Sequence, residues 1–253
     1  MVMKIAIVAG EASGDLLGSH LMAALKKHHP HIEFIGIAGP KMIGEGAKSL
    51  FSIEQLSVRG YVEVIKHLPG LLKLRRALFQ QLLATKPDLF IGVDAPDFNF
   101  WLEKKLKNKG IPAIHYVSPS IWAWRKGRIG GIKKAVSHIL ALFPFEPAIY
   151  QKAGIPVTYV GHPLADILPL VPDIIGAREN LKLKTAQTVI AMLPGSRQGE
   201  VEQHAELFIQ AAHRINQSLI EEGKHDTVFL VPLITRETRA IFEKKLHQFL
   251  VSL

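Results

Sequence analysis

The sequence predicts an α/β protein of the doubly wound kind, built on parallel strands. Two observations carry that prediction. Short apolar, β-rich runs recur along the chain, and helix-patterned stretches separate them steadily. The run at residues 89–93, Leu-Phe-Ile-Gly-Val, has no charged position, as expected of a strand buried on both faces. In open parallel sheets, ligands bind beyond the carboxyl ends of strands. This run ends there on two carboxylates, Asp94 and Asp97.

Taken in order, residues 4–9 form the first strand. The turn Gly10-Glu-Ala-Ser-Gly-Asp15 and a helix to about His28 follow. The glycines stand at i and i+4, so neither the dinucleotide fingerprint nor the P-loop is present. What remains is a tight turn of backbone N–H groups with Glu11 at a strand end; Ser13 or Asp15 can cap the helix. A second strand at 33–37 ends in a short turn. Residues 56–85 interleave Val62, Ile65, Leu68, Leu71 and Leu72 with Lys73, Arg75 and Arg76, and Pro69-Gly70 should split the stretch into two helices. Leu71, Leu74, Leu78 and Leu82 make one core-facing stripe. The remaining apolar residues beside cations suit a helix lying on an anionic membrane, or one packed on the sheet with its cations in solvent.

After the 89–93 strand, Pro96 keeps Ala95 out of the α region. A helix over 98–109 closed by Gly110 makes Asp97 its N-cap and leaves Asp94 as a candidate catalytic group. A strand at 112–117 leads to Ser118-Pro-Ser-Ile-Trp-Ala-Trp-Arg125, whose tryptophans could stack on a sugar, pin an acyl chain or close the core. Strands at 139–143 and 157–160 flank a short helix with Pro147 in its first turn. The proline-rich stretch 161–173 reads as a linker. A second α/β unit follows, with strands at 188–193 and 227–232 and helices at 199–222 and 236–250. The turn Pro194-Gly-Ser-Arg197 at a helix N-terminus is an anion site.

Composition narrows the partners. The 253 residues, 48% hydrophobic and 21% charged, fit one large or two modest domains. With no cysteine there are no disulfides or thiolate metal sites. No apolar run approaches the roughly 18 residues of a membrane span, and the first residues lack a signal-peptide pattern. A net charge of +9 points to nucleic acid, a phosphorylated small molecule or a membrane surface. No nucleic-acid-binding module is recognisable, which sets the first aside.

Six blocks, in order, resemble lipid-A-disaccharide synthase: Val8-Ala-Gly-Glu-Ala-Ser-Gly-Asp15, Gly92-Val-Asp-Ala-Pro-Asp-Phe-Asn99, the 115–125 stretch, Phe143-Pro-Phe-Glu146, Gly161-His-Pro163 and Leu193-Pro-Gly-Ser-Arg197. The resemblance implies a GT-B-type fold of two Rossmann-like, doubly wound domains. Residues 1–165 would be an acceptor- and membrane-binding domain, and 166–253 the linker and first part of a donor-binding domain. It implies an inverting transfer from UDP-2,3-diacylglucosamine to 2,3-diacylglucosamine 1-phosphate, without metal or cofactor, on the cytoplasmic face of the inner membrane. Asp94 matches the family's general base, Glu11 an acid near the same cleft, and Arg197 an arginine suited to phosphate. Gly10, Ser13, Ser118, Trp122, Arg125 and Ser196 are candidate substrate contacts. The 56–85 stretch matches the membrane-associating region. Family members continue past the position of Leu253, so the second domain is expected to be incomplete here. The alternative is a lipid-binding remnant without catalysis.

Overall fold

A computed structural model describes residues 2–56, 61–121 and 126–252, without the side chains of 61–67 and Lys126. Two compact units result, Met1–Pro169 and Leu170–Leu253. In the first, β1 (Lys4–Ala9) leads to α1 (Ala12–His28), β2 (Glu33–Ala38), α2 (Pro40–Gly44) and β3 (Ala47–Ser52). Next come α3 (Tyr61–Thr85), β4 (Leu89–Val93), α4 (Pro96–Lys107), β5 (Ala113–Tyr116), α5 (Ile129–Ala135), β6 (His138–Ala141), α6 (Glu146–Lys152), β7 (Val157–Tyr159) and α7 (Leu164–Ile167).

The seven strands form one parallel sheet in the order β3-β2-β1-β4-β5-β6-β7. Consecutive residues of β1 and β4 are buried, so both faces are covered, as parallel sheets require. Leu17 and Met22 of α1, Leu78 and Leu82 of α3, and Leu102 and Leu106 of α4 join Ile5, Ile7, Phe90 and Ile91 in one core. Each such side chain contributes roughly 1.5–3 kcal/mol by leaving water.

The sequence expectations need four corrections here. Pro69 does not split its stretch, because α3 runs through it as one helix. A proline removes one backbone bond, and packing of the fully buried Leu78 and Leu82 holds the rest of the helix in place. Strand β3 and helix α2 were not anticipated. β3 is an edge strand with only Ala47 buried, so its apolar pattern is weak. Asp15 does not cap its own helix; its carboxylate accepts from Lys41 N (2.9 Å) and Met42 N (3.0 Å), capping α2. The linker stretch is not bare, since it carries α7.

The second unit holds α8 (Ile174–Asn180), β8 (Thr188–Ala191), α9 (Gln198–Glu221), β9 (Thr227–Leu230) and α10 (Arg236–Val251). β8 and β9 pair in parallel as a two-stranded sheet. No residue of either strand is fully buried, and a small core of Met192, Val201, Ala205, Ile209 and Phe242 holds the unit together.

Candidate active site

In the large sheet the chain turns one way from β1 to β2 and β3, and the other way from β4 to β7. The ends of β1 and β4 therefore lie at a topological switch point, the position where open α/β sheets bind their ligands. Ala9 lies beside Val93 in register, so the two strands end level. Gly10 and Glu11 leave one of them, Asp94 and Ala95 the other. The approach is close: a Cβ on Gly10 would stand 2.6 Å from the Ala95 Cβ. That contact is why glycine occupies the start of the first loop.

The β4 loop is held in an unfavourable backbone conformation. Asp94 (φ 51°) and Ala95 (φ 44°) are both left-handed, and Val117 (φ 82°) at the end of β5 also has positive φ. Such non-glycine residues cost on the order of 1–3 kcal/mol each and persist where the surroundings over-determine them. Here Asp94 N–H donates to Tyr116 O (2.8 Å), and Asp94 O accepts from Asn99 Nδ2 (2.8 Å). Asp94 is half-buried at the strand end.

Glu11 is the N-cap of α1 in extended conformation, and Ser13 Oγ donates to Glu11 Oε1 (2.8 Å). Ser13 thus fixes a carboxylate instead of capping the helix. Asp97 is not the N-cap of α4 either. Pro96 starts that helix two residues earlier than expected, so the cap falls on Ala95, and Asp97 sits in the first turn where its charge suits the helix dipole. The Asp97 carboxylate is largely exposed and pairs with Arg128.

Ser118 is buried, with its Oγ 2.7 Å from the Tyr150 hydroxyl. Burial pushes the Tyr150 phenol up to about 12, Glu146 adding to the rise and the Ser118 bond opposing it. Trp122 and Arg125 lie outside the described residues, as do the side chains of Val62 and Ile65. On the described part of α3, Leu68 is exposed, Leu71 and Leu72 are half-buried, and Lys73 and Arg76 face solvent. Arg75 differs from its neighbours. Its guanidinium lies 4.6 Å from the Trp101 ring centroid and Nη1 donates to Asp97 O (3.3 Å), and burial lowers its pKa from the usual value.

In the second unit, the turn expected to hold an anion already faces one of its own. Glu200 Oε2 accepts from the backbone N–H of Ser196 (3.0 Å) and Arg197 (3.3 Å), and Oε1 accepts from Arg197 Nη1 (2.5 Å). The Arg197 side-chain bond leads in drawing the Glu200 carboxyl below its ordinary range, and the two backbone bonds act the same way. Gly195 has φ 143°, and a Cβ there would meet Glu200 Cβ at 2.5 Å.

Sequence reasoning missed Asn99, Glu103 and His115, which are all fully buried. His115 Nδ1 lies 2.6 Å from Glu103 Oε1. Burial raises the Glu103 carboxyl, with the charge of His115 and the bond to it opposing. Gly92 makes room for the group: a Cβ there would fall 2.2 Å from Glu103 Oε1 and 2.9 Å from Asn99 Cβ. A signal existed, because Asn99, Leu102, Glu103 and Leu106 form the buried stripe of α4 at helical spacing, with polar residues at two of its positions.

Among the described residues, no three His, Asp or Glu side chains come together as metal ligands, and no helix is long and apolar enough to cross a membrane.

Solved structures share the fold. A UDP-GlcNAc 2-epimerase from Neisseria meningitidis, bound to UDP-GlcNAc, matches 99% of this chain and 70% of its own at a TM-score of 0.62 and 13% identity. One from Methanocaldococcus jannaschii, in complex with UDP-GlcNAc and UDP, gives the same TM-score at 16% identity, over 99% of this chain and 71% of its own. The fold is Rossmann-like α/β of the GT-B type. By sequence, a lipid-A-disaccharide synthase of Methylobacillus flagellatus is 66% identical over 96% of this chain and 63% of its own length. Another, from Aromatoleum aromaticum, is 58% identical over 98% of this chain and 62% of its own. The chain thus spans a little under two thirds of the length of these relatives. The family model described as lipid-A-disaccharide synthetase matches residues 5–253, and the chain belongs to that family.

Proposed function

We propose that this chain is the acceptor-binding unit and the first part of the donor-binding unit of an inverting glycosyltransferase. The units would be residues 1–165 and 166–253. The enzyme transfers a diacylglucosamine residue from its UDP derivative to the 6-hydroxyl of diacylglucosamine 1-phosphate. The product is the β(1→6) disaccharide 1-phosphate of lipid A. The observation that carries this reading is Asp94, held in a strained left-handed turn at the carboxyl end of β4, at the switch point. Family membership supports the reaction class.

In this mechanism the Asp94 carboxylate takes the proton of the acceptor 6-hydroxyl. The freed oxygen pair forms the bond to the donor's anomeric carbon from the face opposite UDP. The bond from that carbon to the diphosphate oxygen breaks, and UDP leaves with its electron pair, so the configuration inverts. Glu11, oriented by Ser13, lies on the neighbouring loop and orients the acceptor. Arg197, with Ser196, meets phosphate charge once the Glu200 carboxylate gives way. Leu68, Leu71, Leu72, Lys73 and Arg76 of α3 hold the protein on the inner face of the inner membrane, near its lipid substrates.

The test is Asp94→Asn in a full-length enzyme carrying this chain as its N-terminal part. Turnover should fall by roughly 10²–10⁴-fold, the usual contribution of a general base, with donor affinity nearly unchanged. Turnover within a few-fold of the parent would overturn the assignment.

A further inference from the structure

We infer that Asn99 is the residue that positions Asp94 for proton transfer, its side-chain amide bridging the carboxyl ends of β1 and β4. The inference rests on Asp94 being the base. Asn99 Nδ2 approaches three carbonyl oxygens: Asp94 O at 2.8 Å, Val8 O at 3.3 Å and Val93 O at 3.5 Å. One donor group therefore touches the last turns of both strands at the switch point. It also touches the residue whose backbone is strained. The left-handed pair Asp94–Ala95 has no glycine to relieve it, so contacts must hold it. Its N–H side is held by Tyr116 O, and its carbonyl side by Asn99.

Stability alone does not account for this choice of residue. Asn99 Oδ1 is buried and has no hydrogen-bond partner among the described residues. Glu103 Oε2, one helical turn along α4, and His115 Nε2 on β5 are in the same condition. Buried polar groups left unsatisfied weaken a fold, so the amide is kept here despite the cost of its unpaired oxygen. What an apolar residue cannot supply is the pair of N–H donors that fixes the Asp94 turn. The Glu103–His115 bond ties α4 to β5 and keeps Asn99 at the height of the strand ends. Gly92 completes the fit, since any side chain there would displace both Asn99 and Glu103.

A misplacement of about 1 Å at a reacting group can cost about 10²-fold in rate. In the full-length enzyme, Asn99→Leu removes the donors while filling the space, and Asn99→Ala removes both. Each should lower kcat about a hundredfold, leave KM for both substrates within about threefold, and keep a cooperative thermal transition. The decisive arm combines Asn99→Leu with Asp94→Asn: without the base there is nothing to position, so the double variant should be no slower than Asp94→Asn alone. Independent losses in the double variant would overturn the inference, and so would near-parental kcat in the single variants. If both single variants fail to fold, Asn99 is structural and the inference is wrong. An unimpaired Asp94→Asn enzyme would instead remove the general-base reading.

Discussion

At the scale of single residues, carboxylates and hydroxyls that look alike in the sequence have separate tasks. Asp94 sits in the strained turn, whereas Asp97 projects from the first turn of α4 toward Arg128 with its side chain 71% exposed. Exposed ion pairs contribute roughly 0–1 kcal/mol. Asp97→Asn should therefore leave both turnover and melting temperature of the full-length enzyme nearly unchanged; losses equal to those of Asp94→Asn would refute this division. Ser118 and Tyr150 form a buried hydroxyl pair. Ser118→Ala should cost about 1–3 kcal/mol by unfolding, because it leaves the Tyr150 hydroxyl unpaired. Tyr150→Phe should cost less in hydrogen bonding, because Ser118 Oγ still donates to Pro119 O (3.2 Å). The double variant should cost much less than the sum. The pair also sets an alkaline signature. With its pKa raised to about 12, Tyr150 stabilises the fold fully below the ordinary phenol value near 10, and the contribution is lost as pH rises through about 12. The stability advantage of the parent over Tyr150→Phe should shrink across that window in urea titrations.

At the scale of elements, α3 divides along its length. Its C-terminal half is core, and Leu78→Ala or Leu82→Ala should destabilise by roughly 2–5 kcal/mol. Before that half, Leu68 is 45% exposed and precedes Lys73 and Arg76 in solvent. Leu68→Ser with Leu72→Ser should move the protein out of the floating fraction in liposome flotation with anionic vesicles. Replacing Lys73 and Arg76 should weaken binding by about 1 kcal/mol each and make it less salt-sensitive. Arg75 is a poor choice for that experiment, because its guanidinium is committed to Trp101 and to Asp97 O, so its loss disturbs packing as well as charge. Unchanged flotation in all these variants would make α3 purely a packing helix.

For the whole molecule, the two units differ in how completely they bury their sheets. The seven-stranded sheet has central strands with no exposed apolar face, whereas β8 and β9 stay half-exposed throughout, and Leu193, Leu207, Ile234 and Leu250 lie open to solvent. Residues 1–169 expressed alone should unfold cooperatively in urea. Residues 170–253 alone should show a shallow transition and rapid amide exchange, since their core is small and a two-stranded sheet is marginal in water. A steep, cooperative transition in the second fragment would contradict this.

The sequence by itself determined the α/β class, the order of the strongly apolar strands, and that turns leave β1 and β4 and precede α9, because burial on both faces and turn chemistry are written locally. The first two turns are shorter than expected, since α1 begins at Ala12 and α4 at Pro96. It could not place caps, since Asp15 and Asp97 each lie near a helix start and only the observed start of each helix decides which N–H groups are within reach. Nor could it show that the Gly-Ser-Arg turn is met by Glu200, an i+4 contact whose direction depends on where α9 begins. The strand order placed Gly10 against Ala95, and so the first loop beside the fourth strand's loop, although 85 residues of chain separate them. Asn99 and Glu103 share a helical stripe with Leu102 and Leu106, and His115 sits in an apolar strand, but the sequence does not say that these polar side chains meet. Only packing α4 onto Gly92 and β5 turns them inward, because burial is a property of the face a helix presents, and tertiary contacts choose that face.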